Sequence, residues 1–144
     1  MLRIAKQLVI TILLSGIAVF AQAEQKQQIG SWEVHYSAFN STFLTPEIAA
    51  QYAVTRSSKQ GLLNISVLDS ATKEALAVMP KGYVSNPRGG VQNLDFQKIT
   101  EGDAVYYLAS FIFGDEELMR FTINFPNSEN ASETLTFEQQ FYQE

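Results

Sequence analysis

Between Leu118 and Phe125 the sequence alternates without a break. Met119, Phe121, Ile123 and Phe125 are apolar, and Arg120, Thr122 and Asn124 between them are polar. An extended strand points successive side chains to opposite faces, so this order gives one buried and one wet surface. The pattern recurs. Ile29–Phe39 sets Trp32, Val34, Tyr36 and Ala38 against Ser31, Glu33, His35 and Ser37. Leu62–Asp69 sets Leu63, Ile65 and Val67 against Asn64 and Ser66. Ala75–Val84, Gln92–Thr100, Val105–Phe113 and Glu133–Tyr142 are the remaining runs. Pro80 has no N–H to donate, which puts the Ala75–Val84 run at an edge or a bulge. Turn-forming segments separate the runs: 85–90, Glu101-Gly102-Asp103 and 114–117.

Seven short strands at roughly ten-residue spacing predict an all-β fold: an antiparallel immunoglobulin-like β-sandwich of about seven strands. A small barrel is the alternative. One short helix is expected, capped by Thr45, entered through Pro46 and ending near Tyr52.

Residues ahead of the first strand read as an export signal. Arg3 and Lys6 precede an apolar run from Leu8 to Phe20, followed by Ala21-Gln22-Ala23. This is the layout of a cleaved secretory signal peptide over 1–23, with a single domain over 24–144. The apolar run is shorter than the roughly 20 residues needed to span a bilayer. No cysteine is available for a lipid anchor. The expected location is therefore the periplasm, with no membrane span after cleavage. Cleavage removes two cations and no acid, so a formal charge of −5 becomes −7.

That acidic balance argues against nucleic acid as a partner. With no cysteine there is no disulfide, thiolate nucleophile or Cys-ligated metal, and one histidine precludes a multi-histidine cage. No cofactor is expected. His35 shares its strand face with Glu33 but has no nucleophile elbow beside it, so it is read as a surface residue. Asp115-Glu116-Glu117 clusters carboxylates without calcium-loop spacing. Glu101 and Asp103 flank a turn glycine. Arg56 and Lys59 form the one local basic cluster, a candidate anion-binding loop. Asn64-Ile65-Ser66 matches a glycosylation sequon but lies within a predicted strand.

Val105–Phe113 is unusual because both of its faces are apolar. Val105, Tyr107, Ala109, Phe111 and Phe113 take one, and Ala104, Tyr106, Leu108 and Ile112 the other, broken only by Ser110. The second face is either covered by the helix or the 70s–80s segment, or open to a partner. Phe39, Phe43 and Leu44 would be the cover or extend the patch. Phe43, Tyr106, Leu108 and Ile112 are thus the candidate interaction surface.

Three segments are distinctive: Val34–Glu47, Arg56–Val67 and Glu101–Phe111. They resemble the small exported bacterial proteins grouped as domain-of-unknown-function family 4426. The resemblance covers nearly all of the chain after the leader. It implies a secreted single-domain β-sandwich and carries no activity or catalytic residue. The expectation is a non-catalytic binding or interaction module of the bacterial envelope, meeting another envelope protein. The alternative is a small-molecule or ion binder, or a minor hydrolase, using Arg56–Lys59 or the carboxylate turns. A third option is a structural subunit of a larger assembly.

Overall fold

In the computed structural model residues 25–143 are described, so the predicted signal peptide lies outside the described residues. Among the described residues nine strands form two antiparallel sheets: β1 Gln25–Ile29, β2 Trp32–Asn40, β3 Gln60–Asp69, β4 Lys81–Ser85, β5 Val91–Leu94, β6 Gln97–Glu101, β7 Ala104–Ile112, β8 Glu117–Asn124 and β9 Thr134–Phe141. One sheet has the order β1-β2-β3-β7-β6 and the other β5-β4-β8-β9. The predicted sandwich is the fold.

The strand count corrects the expected seven, and the reasons are local. The Ile29–Phe39 run is a hairpin. Ile29 pairs with Trp32 across Gly30-Ser31, and Gly30 has φ +56°. A positive φ at the first of two turn residues is the type II′ geometry, which glycine adopts without strain. Gln92–Thr100 breaks at 95–96, and its halves enter different sheets, β5 pairing with β4 and β6 with β7. Ala75–Val84 is a strand only from Lys81. Its first half crosses between the sheets, tied by the Leu68–Ala75 bridge and by Leu76 N–H to the Val67 carbonyl at 2.8 Å.

The alternating apolar faces meet between the sheets. Val34, Ile65, Val67, Val84, Met119, Phe121, Ile123, Phe125 and Leu135 are fully buried there. Aromatic rings fill one end: Phe111 lies 5.1 Å from Phe121 and 5.2 Å from Phe141, both edge-on, and Phe121 stacks on Phe137 at 4.6 Å. Burial pushes the Tyr107 phenol above its ordinary pKa, opposed by the nearby Val78 backbone.

The edge strands are short. β1 pairs with β2 only from Trp32 to Tyr36, and β6 with β7 only from Ala104 to Leu108. Beyond them the backbone needs other partners, and amide side chains of the opposite sheet or of its C-terminal extension supply them. Gln139 donates to the Ala38 carbonyl at 2.7 Å. Gln92 donates to the Ile112 carbonyl at 2.7 Å and accepts from its N–H at 2.8 Å. Asn40 returns a bond to the Tyr142 carbonyl at 2.9 Å.

The β2–β3 connection carries a 3-10 turn, Ser41–Phe43, and the predicted helix, here α1 Pro46–Gln51. Thr45 caps it, its hydroxyl accepting from Ile48 N–H at 3.3 Å. At the other end Val54 N–H reaches the Ala49 carbonyl at 2.7 Å and Ala53 N–H the Ala50 carbonyl at 3.2 Å. This is a Schellman cap with Ala53 in the left-handed position at φ +55°. Alanine is strained there and glycine is not. Ala53→Gly is expected to stabilise the protein by about 0.5–1 kcal/mol. Urea denaturation showing a lower midpoint for the variant would contradict this.

Candidate functional site

The outward residues of the five-stranded sheet change character along the strands. On β2, Glu33, His35 and Ser37 give way to Phe39. On β3, Ser66 and Asn64 give way to Leu62. On β7, Tyr106 is followed by Leu108. Register aligns these changes: Ser37 pairs with Asn64, which pairs with Leu108, and His35 pairs with Ser66. A polar field therefore abuts an apolar field on one surface.

Residues 41–59 fold back over the apolar field as a strap. Leu62 on β3, Leu108 on β7 and Ala49 on α1 are all buried yet lie outside the main core. The strap removes them from water. The Tyr52 hydroxyl donates to Glu101 Oε1, fastening the strap to the end of β6.

A groove remains between the strap and the 69–75 loop. Its apolar half has a volume of about 180 Å³, lined by Phe39, Leu44, Tyr52, Ile99 and Leu108, with Glu101 at its end and, toward the sheet centre, Asn64 and Tyr106. Its polar half, about 290 Å³, is lined by His35, Ser37, Asn64, Ser66 and Tyr106, with Leu68 and Ala75 at its far end. Asn64 and Tyr106 line both halves, so the groove is continuous.

Glu33 closes the polar end. It accepts from Lys73 Nζ at 2.5 Å and His35 Nε2 at 2.7 Å, with Lys26 Nζ at 3.9 Å. The Lys73 hydrogen bond, then the His35 hydrogen bond, holds its pKa down at about 2, against the ordinary 4.5. Lys73 sits at φ +63° in a loop whose turn is bonded by Asp69, the Asp69 carboxylate accepting from Ala71 and Thr72 N–H at 2.9 Å. Those backbone bonds also lower the Asp69 pKa. A carboxylate with a depressed folded pKa stabilises the fold above its unfolded pKa, and that stabilisation fades as pH falls through the folded value. Melting temperatures of the wild type and Glu33→Gln are expected to differ most above pH 4.5 and to converge near pH 2. A difference independent of pH would refute this account.

The sequence-derived candidates separate. Tyr106 and Leu108 line the groove, Tyr106 half-buried and Leu108 only 9% exposed. Phe43 and Ile112, 73% and 64% exposed, lie outside its lining. The second face of Val105–Phe113 is thus covered at Leu108 and open at Ile112. Phe39 and Leu44 are part of the cover. Arg56 Nη2 donates to the Thr42 carbonyl at 3.2 Å and Lys59 is exposed, both away from the groove.

The carboxylate turn does not converge. Asp115 accepts from Gln143 N–H at 2.9 Å, Glu117 from Gly114 N–H at 3.1 Å, and Glu116 is exposed. Among the described residues no three His, Cys, Asp or Glu side chains are placed to hold a metal ion. No helix of the described residues is long and apolar enough to cross a membrane. Asn64, Ser66 and Ser37 were not singled out from sequence as site residues. The available signal was the polar-to-apolar switch on the outward positions of three strands.

Comparison with known proteins agrees with this architecture. No curated protein matches the chain. A solved DUF4426 family protein from Pseudomonas aeruginosa PAO1 is 30% identical, with a TM-score of 0.72 over 85% of this chain and 98% of its own. FetP of uropathogenic Escherichia coli strain F11, expressed recombinantly in the periplasm, is 12% identical with a TM-score of 0.51. It covers 83% of this chain and 94% of its own, a likeness of fold alone. A family model described as Domain of unknown function (DUF4426) matches residues 26–144. The chain belongs to that family.

Proposed function

We propose that this protein is a non-catalytic binding module of the bacterial envelope, working in the periplasm as one domain over 24–144, with the strapped groove as its binding surface. One observation carries the reading. The groove gathers half-buried neutral polar side chains, Ser37, Asn64, Ser66 and Tyr106, beside an apolar compartment. A mostly apolar concavity with a few convergent polar groups is the usual form of a ligand site. The leader-like sequence over 1–23 supports the location.

Binding fits better than catalysis because the groove has no nucleophile–base pair. Its single imidazole is engaged by Glu33 through Nε2 at 2.7 Å, and no serine hydroxyl lining the groove is hydrogen-bonded to it.

The test is photo-crosslinking in living cells. A photoreactive residue at Tyr106 is expected to give a specific adduct, protein or small molecule. The same residue at Thr136, exposed on the four-stranded sheet, is expected to give none. Equal labelling from both positions would sink the proposal.

A further inference from the structure

We propose that the groove holds a neutral amphipathic small molecule. Its apolar chain sits on Ile99 and Leu108 beside Leu44, and its uncharged, hydroxyl- or amide-rich head lies on Ser37, Asn64 and Ser66. This rests on the groove being the binding surface and specifies what fills it.

Three features select that class. The first is the split lining. Asn64 and Tyr106 belong to both halves, so one molecule can occupy both without crossing a barrier. From Ile99 on β6 to His35 on β2 there are three inter-strand spacings, about 14 Å. A six-carbon chain bearing one sugar ring is of that order.

The second is hydrogen bonding. Elsewhere several part-buried amides are used internally, Asn40 on Tyr142, Gln139 on Ala38, Asn130 on Ile29 and Gln143 on Phe113, although Gln60 and Asn124 are not. The side chains of Ser37, Asn64, Ser66 and Tyr106 make no hydrogen bond within the described residues, yet none is fully buried. Their donors and acceptors are free for a ligand at no internal cost. Every one is neutral and able both to donate and to accept, which matches hydroxyls and amides.

The third is charge. Lys73, in the loop beside the polar half, is engaged by Glu33 at 2.5 Å, as is His35 at 2.7 Å, and Lys26 Nζ lies 3.9 Å from the same carboxylate. No Lys or Arg lines either half. An anionic head would lose its water and find no counter-charge, and Glu101 at the apolar end would repel it. A cationic head seated on the polar half would find no unpaired carboxylate there, since Glu33 is already engaged by Lys73 and His35.

The experiment is an amide NMR titration of the purified protein with five probes sharing one chain length or one head: hexyl β-glucoside, hexyl sulfate, hexyltrimethylammonium, hexanol and glucose. Hexyl glucoside is expected to give saturable shifts at Leu108, Ser66 and the Asn64 side-chain amide. The two charged probes are expected to bind at least tenfold more weakly, and glucose more weakly still. Asn64→Leu should lower hexyl glucoside affinity at least fivefold and leave hexanol binding unchanged. Leu108→Ser should weaken both. Unchanged shifts on β8 and β9 show that each variant is folded.

Charged probes that bind as well as the glucoside overturn the proposal, as does indifference to Asn64→Leu. Absence of groove shifts with every probe overturns it too. In that last case a specific adduct from Tyr106 in cells leaves the binding-module reading standing with a macromolecular partner. No adduct removes both.

Discussion

Phe111→Ala is expected to lower the unfolding free energy by about 3–5 kcal/mol, the range for deleting a buried aromatic ring. A domain of this size has a total stability of roughly 5–15 kcal/mol, so the melting temperature should fall by more than about 10 °C. The cost is high because of what surrounds the ring. Phe111 is 2% exposed and makes edge contacts with Phe121 and Phe141, while Phe113 lies 6.3 Å away. It also covers Gly61, its partner across β3 and β7. A Cβ at Gly61 would lie 2.4 Å from the Phe111 Cζ. Glycine is there because the ring occupies the side-chain space.

Gly61→Ala must therefore push the ring into its aromatic neighbours, at a cost of about 1–3 kcal/mol. In a Phe111→Ala background the same substitution should cost much less, because the obstacle is gone. Phe43→Ala, at an exposed site, should change stability by no more than about 0.5 kcal/mol. Chemical denaturation of the four-member cycle checks this. Additive costs would mean that the ring and the glycine do not share one space.

The inner layer was legible in the sequence for a simple reason. Burial on one sheet face imposes a period of two, and β8 carries it unbroken from Met119 to Ile123, with Phe125 just beyond its end. What the period misses is a turn inside a run and a strand that changes sheets. Gly30-Ser31 sits between Ile29 and Trp32, both apolar and buried but three residues apart, so the hairpin shows in the sequence only as a single slip of phase. Val91–Leu94 and Gln97–Glu101 are separated by only two residues, and no local feature says that they belong to different sheets.

The candidate site was half legible. Tyr106 and Leu108 stood out because β7 is apolar on both faces. Asn64 and Ser66 did not, because polar residues outward on a strand are what any solvated sheet shows. Their meaning depends on the strap, and the strap is placed by tertiary contacts. Leu62 beside Leu63 was the clue: two adjacent apolar residues in a strand require cover on both faces.

One buried hydroxyl closes the base of the strap, and Ser41→Ala is expected to loosen it. Ser41 is fully buried. Its Oγ donates to the Ser57 carbonyl and accepts from the Ser57 N–H, both at 2.9 Å. A single side chain thus closes the 41–57 loop at both backbone groups of one residue. Alanine leaves that N–H and carbonyl without their partner, at about 1–3 kcal/mol. The loss should not spread evenly. The sandwich core does not depend on Ser41, whereas α1, Leu44 and Tyr52 all hang from the loop it closes. Amide exchange should therefore accelerate first in 46–54, while β8 and β9 keep their protection until global unfolding. Tyr52→Phe is the companion variant. It removes only the exposed bond to Glu101 and should cost less than about 1 kcal/mol. Because the strap forms one wall of the apolar half, Ser41→Ala should also weaken the seating of an alkyl chain on Leu108 more than Tyr52→Phe does. Uniform exchange acceleration across both sheets would show that Ser41 supports the whole fold and not the strap. An unchanged melting temperature would show that water replaces the hydroxyl at no cost.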